Sequence, residues 1–351
     1  MPVVGVVGTL VWDRIWSADP AKTEPVEEWG GIGYAWEAFE GVAPPGWRMR
    51  PIVKVGHDLY ERAAAFLRRF RTVESWAGVR EVPGRNTRVE LRYVSGARRC
   101  ERLEGGVPPW TFAELEPLLE GLDALYVNFI TGAEMDLATL QAVRAAFRGP
   151  LYGDIHSLTL RTGPGGERSH APLPRARDWI RAFDVAQMNE DELRVLAQDA
   201  GDPWRLAARV VGPETKLLLV TLGPRGAAYV VAPEFERWRE RFAGGATGGT
   251  PTPGSRAAGS RAAGPVGGSR LETAGAVRSA RVPVPPVEPG DPTGCVDVFG
   301  IACFLALLDG MPVEAAVDRA NRAAALNVRH RGATGLHRFL RGELATPELL
   351  P

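Results

Sequence analysis

Gly290-Asp-Pro-Thr-Gly-Cys-Val-Asp-Val-Phe-Gly300, continued by Ile-Ala-Cys-Phe-Leu-Ala-Leu-Leu-Asp-Gly310, is the stretch that decides the fold. A turn rich in Pro and Gly runs directly into a helix that is apolar on nearly every face, and such a helix is stable only deep inside a protein. Its N-terminus offers unpaired backbone N–H groups and the positive end of the helix dipole, which together make an anion site. Asp297 falls in the first turn, where the dipole favours a carboxylate partly withdrawn from water. The same residues admit a structural reading, in which Asp291 or Thr293 caps the helix and Asp297 complements the dipole.

Upstream of this turn the chain alternates. Val3–Val7 is a continuous apolar run that predicts a buried first strand, and Ile52–Val55 predicts a second. Leu59–Phe70 has helical spacing. Asn86–Val94, the turn Ser95-Gly96 and Ala97–Leu103 predict an antiparallel hairpin with one polar face. From Phe112 onward strands (Ala124–Phe129, Leu151–Ile155, Val185–Met188, Leu217–Thr221) alternate with helices (Leu115–Leu119, Leu137–Phe147, Arg177–Ala182, Glu190–Asp199). That order predicts an α/β fold with a mainly parallel sheet covered by helices on both faces. Residues 244–276 are nearly all Gly, Ala, Ser, Thr, Pro and Arg, with a tandem SRAAG-SRAAG at Ser255–Gly264. With so little to bury, the segment reads as a flexible insertion in a single domain spanning 1–351.

Composition excludes several function classes. The 351 residues carry 42 Lys+Arg against 42 Asp+Glu, a formal net charge of zero, so there is no electrostatic footprint for nucleic acid or an anionic membrane. Three cysteines, Cys100, Cys295 and Cys303, have no C-x-x-C spacing and suggest neither a disulfide framework nor a zinc site. The longest apolar run, Val298–Leu308, is too short to span a bilayer. The N-terminus shows no cationic leader, and the expected location is the cytoplasm. Neither G-x-x-x-x-G-K-[ST] nor G-x-G-x-x-G occurs, so a P-loop and a dinucleotide fingerprint are absent.

Several fragments, taken together, carry a resemblance. Asp291-Pro-Thr-Gly-Cys-Val-Asp297 resembles the D-T-x-G-A-G-D signature of the ribokinase-like (pfkB-type) carbohydrate and nucleoside kinases. Gly8-Thr-Leu-Val-Trp-Asp13 resembles that family's opening strand ending in a substrate-binding aspartate, and Gly30-Gly31 its di-glycine. Lys54-Val-Gly-His-Asp58 resembles K-x-G-x-D, Asn189-Glu-Asp-Glu192 resembles N-x-x-E, and Val220-Thr-Leu-Gly-Pro-Arg-Gly226 resembles V-T-x-G-x-x-G. The fragments follow the family's order across residues 3 to 335. Each also has a local explanation: Asn189 and Glu192 form a capping box, and Gly223–Gly226 a hairpin turn.

The resemblance implies transfer of a phosphoryl group from ATP to a hydroxyl of a sugar or sugar-like substrate. Asp297 would be the general base, and the backbone of Gly294, Cys295, Val296 and Asp297 the anion hole. Asp13, Gly30, Gly31 and Lys54 would bind substrate, and Thr221, Gly223 and Gly226 the nucleotide. Asn189 and Glu192 would hold Mg2+ through its waters, and Asp291 marks a position for a monovalent cation such as K+. Segments 13–29 and 86–103 would form a small antiparallel β-lid, which in some relatives also forms a homodimer.

Departures from the pattern leave two alternatives, a nucleoside kinase and a non-catalytic binding relative. Val296 replaces a glycine of G-A-G-D, where positive φ would be costly. The di-glycine is followed by Ile32-Gly-Tyr-Ala-Trp36, without the asparagine of ribose binders, and Tyr34 and Trp36 could stack on a base or pack in the core. Cys295 beside the anion hole reads either as a reactive thiol or as a small core residue.

Overall fold

The computed structural model describes residues 1–16, 24–95, 98–197, 201–238, 277–286 and 290–343. The short apolar runs become a nine-stranded sheet: β1 (Val3–Val7), β4 (Arg48–Gly56), β5 (Val79–Val82), β8 (Ala124–Asn128), β9 (Leu151–Asp154), β12 (Val185–Asn189), β13 (Leu217–Thr221), β14 (Ala227–Val231) and β15 (Arg278–Val282). Spatial order is β15-β14-β13-β12-β9-β8-β1-β4-β5. Every ladder from β13 to β5 is parallel, and β14 and β15 close one edge antiparallel. The chain leaves β1 toward β4 on one side and later takes up β8 on the other. In sheets with such a reversal the ligand crevice lies beyond the carboxyl ends of the two diverging strands, here β1 and β8.

The smaller sheet has the order β3-β2-β6-β7, from β2 (Leu10–Trp16), β3 (Val26–Gly31), β6 (Arg88–Ser95) and β7 (Arg98–Glu104). The outer ladders are antiparallel, but β2 lies parallel to β6. Asp13 thus sits within the second strand, not at the end of the first as the motif suggested. A two-stranded ribbon, β10 (Leu160–Thr162) with β11 (Arg168–His170), completes the strands.

Helices α1 (Ile32–Val42), α8 (Cys295–Leu308), α9 (Val313–Asn327) and α10 (Leu336–Leu340) pack on one another, while α3 (Phe112–Leu119), α4 (Leu137–Ala146), α5 (Ala176–Arg181), α7 (Pro203–Val210) and α6 (Glu190–Leu196) form a separate succession of neighbours. These are the two covering layers. Leu59–Phe70 proves shorter than its periodicity: a 3-10 turn at His57–Leu59 leads into α2 (Tyr60–Leu67). Residues 244–276 lie outside the described residues, as do 17–23 and 96–97 of the two lid segments. Among the described residues no helix is long and apolar enough to cross a membrane.

One buried carboxylate ties the last helix to the first. Glu37 of α1 is fully buried and accepts the Gly335 and His337 backbone N–H groups at 2.9 Å each, with His337 Nδ1 at 2.5 Å. Truncating it strands those donors without solvent. Glu37→Ala is expected to lose about 3 kcal/mol, read as a lower midpoint in urea unfolding with the slope unchanged.

Candidate functional site

Four parallel strands end on a polar residue: Asn128, Asp154, Asn189 and Thr221 close β8, β9, β12 and β13. Register makes them a row, because Asn128 pairs with Asp154, Asp154 with Gln187, and Asn189 with Thr221. Otherwise these strands are apolar and fully covered, apart from Gln187. Its Nε2 donates to Asp154 Oδ2 (2.8 Å) and to the Val296 carbonyl (3.1 Å), while its Oε1 accepts from Tyr152. One side chain thereby links the strand row to the first turn of α8.

Asp297 stands in that first turn, 8% exposed, with Asn128 Nδ2 donating to its Oδ1 at 2.7 Å. The amide fixes the orientation of the carboxylate. Gly294 begins the helix with φ 78°, and a Cβ there would meet the Tyr34 ring at 2.2 Å, so both backbone and space demand glycine. Val296 has no positive φ, since only His156 and Arg175 among the described non-glycine residues do. The valine is ordinary helix, and its cost disappears.

The expected anion hole needs one correction. The Cys295 N–H donates to the Pro292 carbonyl (3.1 Å), closing the turn on itself, whereas the Gly294 and Val296 N–H groups remain unpaired among the described residues. Asp291 Oδ1 accepts from the Thr293 N–H (2.9 Å), the Thr293 hydroxyl (2.6 Å) and the Tyr93 hydroxyl (3.2 Å). Tyr93 belongs to β6, so the small sheet already touches the turn that starts α8.

Asp13 reaches the site from β2, 5% exposed, with its carboxylate lying over Gly30: a Cβ on Gly30 would stand 1.8 Å from Asp13 Oδ2. Gly31, at φ 57°, caps α1 against the Thr9 carbonyl. The two glycines therefore serve close approach and turn geometry beside the aspartate. Lys54 is engaged elsewhere. Its Nζ meets Glu114 Oε1 (2.8 Å) and the Pro109 carbonyl (2.8 Å) above the Trp110 ring, and it holds the Glu114 carboxyl down at about 2. The K-x-G-x-D fragment instead secures the small sheet: Asn86 takes the Gly56 N–H, and Asp58 takes the Asn86 N–H and Arg88.

Thr221 adjoins Asn189. Gly223 (φ 58°) faces open space, while Gly226 is pressed on the Val282 carbonyl and serves packing. Asn189 and Glu192 form a full capping box. Glu192 Oε2 takes the Asn189 N–H (2.7 Å), Oε1 takes its amide (2.6 Å), and Asn189 Oδ1 takes the Glu192 N–H (2.9 Å).

Sequence reasoning passed over Asp154 and His156. Asp154 is fully buried, and burial pushes its carboxyl well above the usual carboxylate range. Burial opposes charge on His156 too, but Glu192, Asp154 and Asp297 outweigh it and raise the imidazole to about 10. His156 adopts φ 31°, a sparsely populated conformation for a side-chain-bearing residue.

Tyr34 and Trp36 are core residues, 1% and 0% exposed, which removes the stacking surface they offered a base. The Tyr34 hydroxyl nonetheless has no hydrogen-bond partner among the described residues, and burial, then Asp13, Asp291 and Asp297, push its ionisation well above the ordinary phenol range. Cys295 is also inert: burial raises its thiol to about 11 and its Sγ faces the Ala324 carbonyl and Asn327. Cys303 is fully buried and shifted further up, whereas Cys100 is exposed. A thiol reagent at pH 8 is expected to label one cysteine per folded chain rapidly, Cys100, and all three only in denaturant. Rapid labelling of Cys295 in the native protein would contradict this burial.

No protein-family model matches the chain. A 54-residue stretch is 50% identical to the ribokinase of Bacillus subtilis (strain 168), covering 15% of this chain and spanning only 18% of that protein's length. Solved structures match over nearly the whole chain. One is Arabidopsis thaliana ribokinase complexed with ribose and ATP, at TM-score 0.63 and 15% identity over 97% of this chain and 98% of that one. Another is a pyrophosphate-dependent kinase in the ribokinase family, complexed with a pyrophosphate analog and myo-inositol, at TM-score 0.63 and 15% identity over 94% and 96%.

Proposed function

From the premise that this chain has the ribokinase fold, we propose that it is a small-molecule kinase moving the terminal phosphoryl group of ATP to a hydroxyl of a sugar or sugar-like acceptor. The observation that carries the reading is the placement of Asp297. Its carboxylate is oriented by Asn128 at the positive end of a buried helix, beside unpaired backbone N–H groups, at the mouth of the sheet's crevice.

Each group has a physical task in this reading. Asp297 accepts the proton of the attacking hydroxyl, so that the oxygen nucleophile develops only where the phosphorus waits. The Gly294 and Val296 N–H groups meet charge on the transferring group, and being fixed by the helix they need no reorganisation. Asp13, held against Gly30, fastens acceptor hydroxyls from the lid side, and Tyr93 links that lid to the Asp291 turn. Closing the lid excludes water as a competing acceptor. Thr221 and Gly223 border the donor.

The donor's phosphates call for a divalent cation, and Asn189, Glu192 and Asp154 Oδ1 supply oxygen donors for one. When bound, the ion would neutralise phosphate charge.

The test is a phosphotransfer screen of sugars, polyols and nucleosides with ATP and, separately, pyrophosphate as donor, followed by Asp297→Asn on the best acceptor. The expectation is transfer from ATP to a sugar-like acceptor, with kcat reduced by ~10²–10⁴-fold in the variant, KM changed little, and the circular dichroism spectrum retained. Near-wild-type turnover in the variant removes Asp297 as the base.

A further inference from the structure

We infer that Asp154, His156 and Glu192 form a binding site for a first-row divalent transition ion, coordinated directly by the imidazole and two carboxylates. The inference deepens the reading above: it rests on it for the ion's use in phosphoryl transfer, but not for its binding.

The three side chains each bring one ligand atom into a group whose members lie within 4.8 Å of one another. His156 Nδ1 stands 3.5 Å from Glu192 Oε1 and makes no hydrogen bond. That separation is longer than an ordinary N–H···O hydrogen bond, and it matches the edge of a coordination sphere. Two ligands bound at ~2.0–2.2 Å to one tetrahedral ion stand ~3.3–3.6 Å apart.

A second observation is independent of the clustering. Asp154 is fully buried, and its Oδ1 has no hydrogen-bond partner among the described residues. Such an oxygen costs free energy unless something positive fills the space before it. Its other oxygen is not idle, because Gln187 Nε2 clamps Oδ2, and Tyr152 in turn fixes Gln187. Glu192 is likewise held by Asn189 through both oxygens. This outer ring of hydrogen bonds keeps the ligands aimed without the ion, which lowers the cost of binding it. His156 keeps 30% of its side chain exposed, which leaves an entry path.

Ligand chemistry sets the class of ion. Mg2+ takes oxygen ligands and retains its waters, whereas an imidazole nitrogen within the donor set favours Zn2+, Co2+ or Fe2+. Two carboxylates and a neutral imidazole balance a dication. The occupant that competes is a proton on His156, which the same carboxylates attract.

The test uses the full chain after chelator treatment, without nucleotide. Co2+ is titrated by visible absorption, and Zn2+ and Mg2+ by calorimetry. Expected are one equivalent of Co2+ or Zn2+, at least ~100-fold tighter than Mg2+, and a loss of at least ~10-fold in Zn2+ affinity in both His156→Asn and Asp154→Asn. His156→Asn, at a part-exposed position, keeps the test sound if the buried variant fails to fold. Absence of stoichiometric binding, equal affinity for Mg2+, or unchanged affinity in His156→Asn overturns the site and leaves the proton as occupant. Stoichiometric Zn2+ binding by a protein that phosphorylates nothing leaves this site standing and removes the kinase reading. A working kinase that binds no such ion does the reverse.

Discussion

A fourteen-residue helix without a polar face has to be surrounded, and this single demand organises the molecule. Helix α8 is buried from Asp297 to Leu308, with α1 and α9 beside it and β8 and β9 beneath. A helix so placed brings its N-terminus into the interior, where unpaired N–H groups and a carboxylate in the first turn would each cost several kcal/mol if left alone. The fold answers with polar groups that would be out of place elsewhere in an apolar sheet: Asn128 for the Asp297 carboxylate, and Gln187 for the Val296 carbonyl. The site is thus the solution to a packing problem as much as a chemical device.

The electrostatics of the crevice follow from the same geometry. Burial pushes the Asp154 carboxyl toward its neutral form, and the nearby Glu192 and Asp297 add to that push. Such a concentration of acid is tolerable beside the positive end of α8 and next to His156, whose imidazole is held charged by its neighbours. An environment that binds a proton this firmly also attracts other cations. Anionic phosphates, in contrast, gain a foothold there only through the helix N-terminus or through an ion that reverses the local sign.

Much of this was legible in the sequence, and the limits have physical causes. Apolar runs separated by helical stretches gave the parallel sheet, and the Asp291–Asp297 turn gave the buried helix and its acid. Asn128 and Asp154 were missed, although both close runs that are otherwise apolar, Ala-Leu-Tyr-Val-Asn128 and Leu-Tyr-Gly-Asp154. A polar last residue on a covered strand is the available signal, because only the strand's end meets the crevice. His156 lies two residues past its strand and has no such pattern. Lys54 matched a motif in order but is drawn aside by Glu114, a residue sixty positions away that no local spacing reveals. Cys295 was unreadable for another reason: whether its N–H faces a ligand or closes a turn depends on one dihedral angle.

The departures from the family pattern can now be separated by consequence. Val296 costs nothing, since the left-handed residue of the turn is Gly294, which is retained. The change at Tyr34 and Ala35 goes deeper. Here α1 presents a tyrosine ring that packs against Gly294 and, at Ala35, a methyl group that cannot hydrogen-bond. In the proposed reading α1 therefore contributes shape more than polar contacts, and orientation of the acceptor falls to Asp13 and to the lid that carries it. An acceptor recognised mainly from one side needs its hydroxyls clustered on that side, with the reacting oxygen pointing away from the lid toward Asp297. Polyols and cyclic alcohols meet that demand more readily than a nucleoside, whose base would need the stacking surface that Tyr34 and Trp36 have withdrawn into the core.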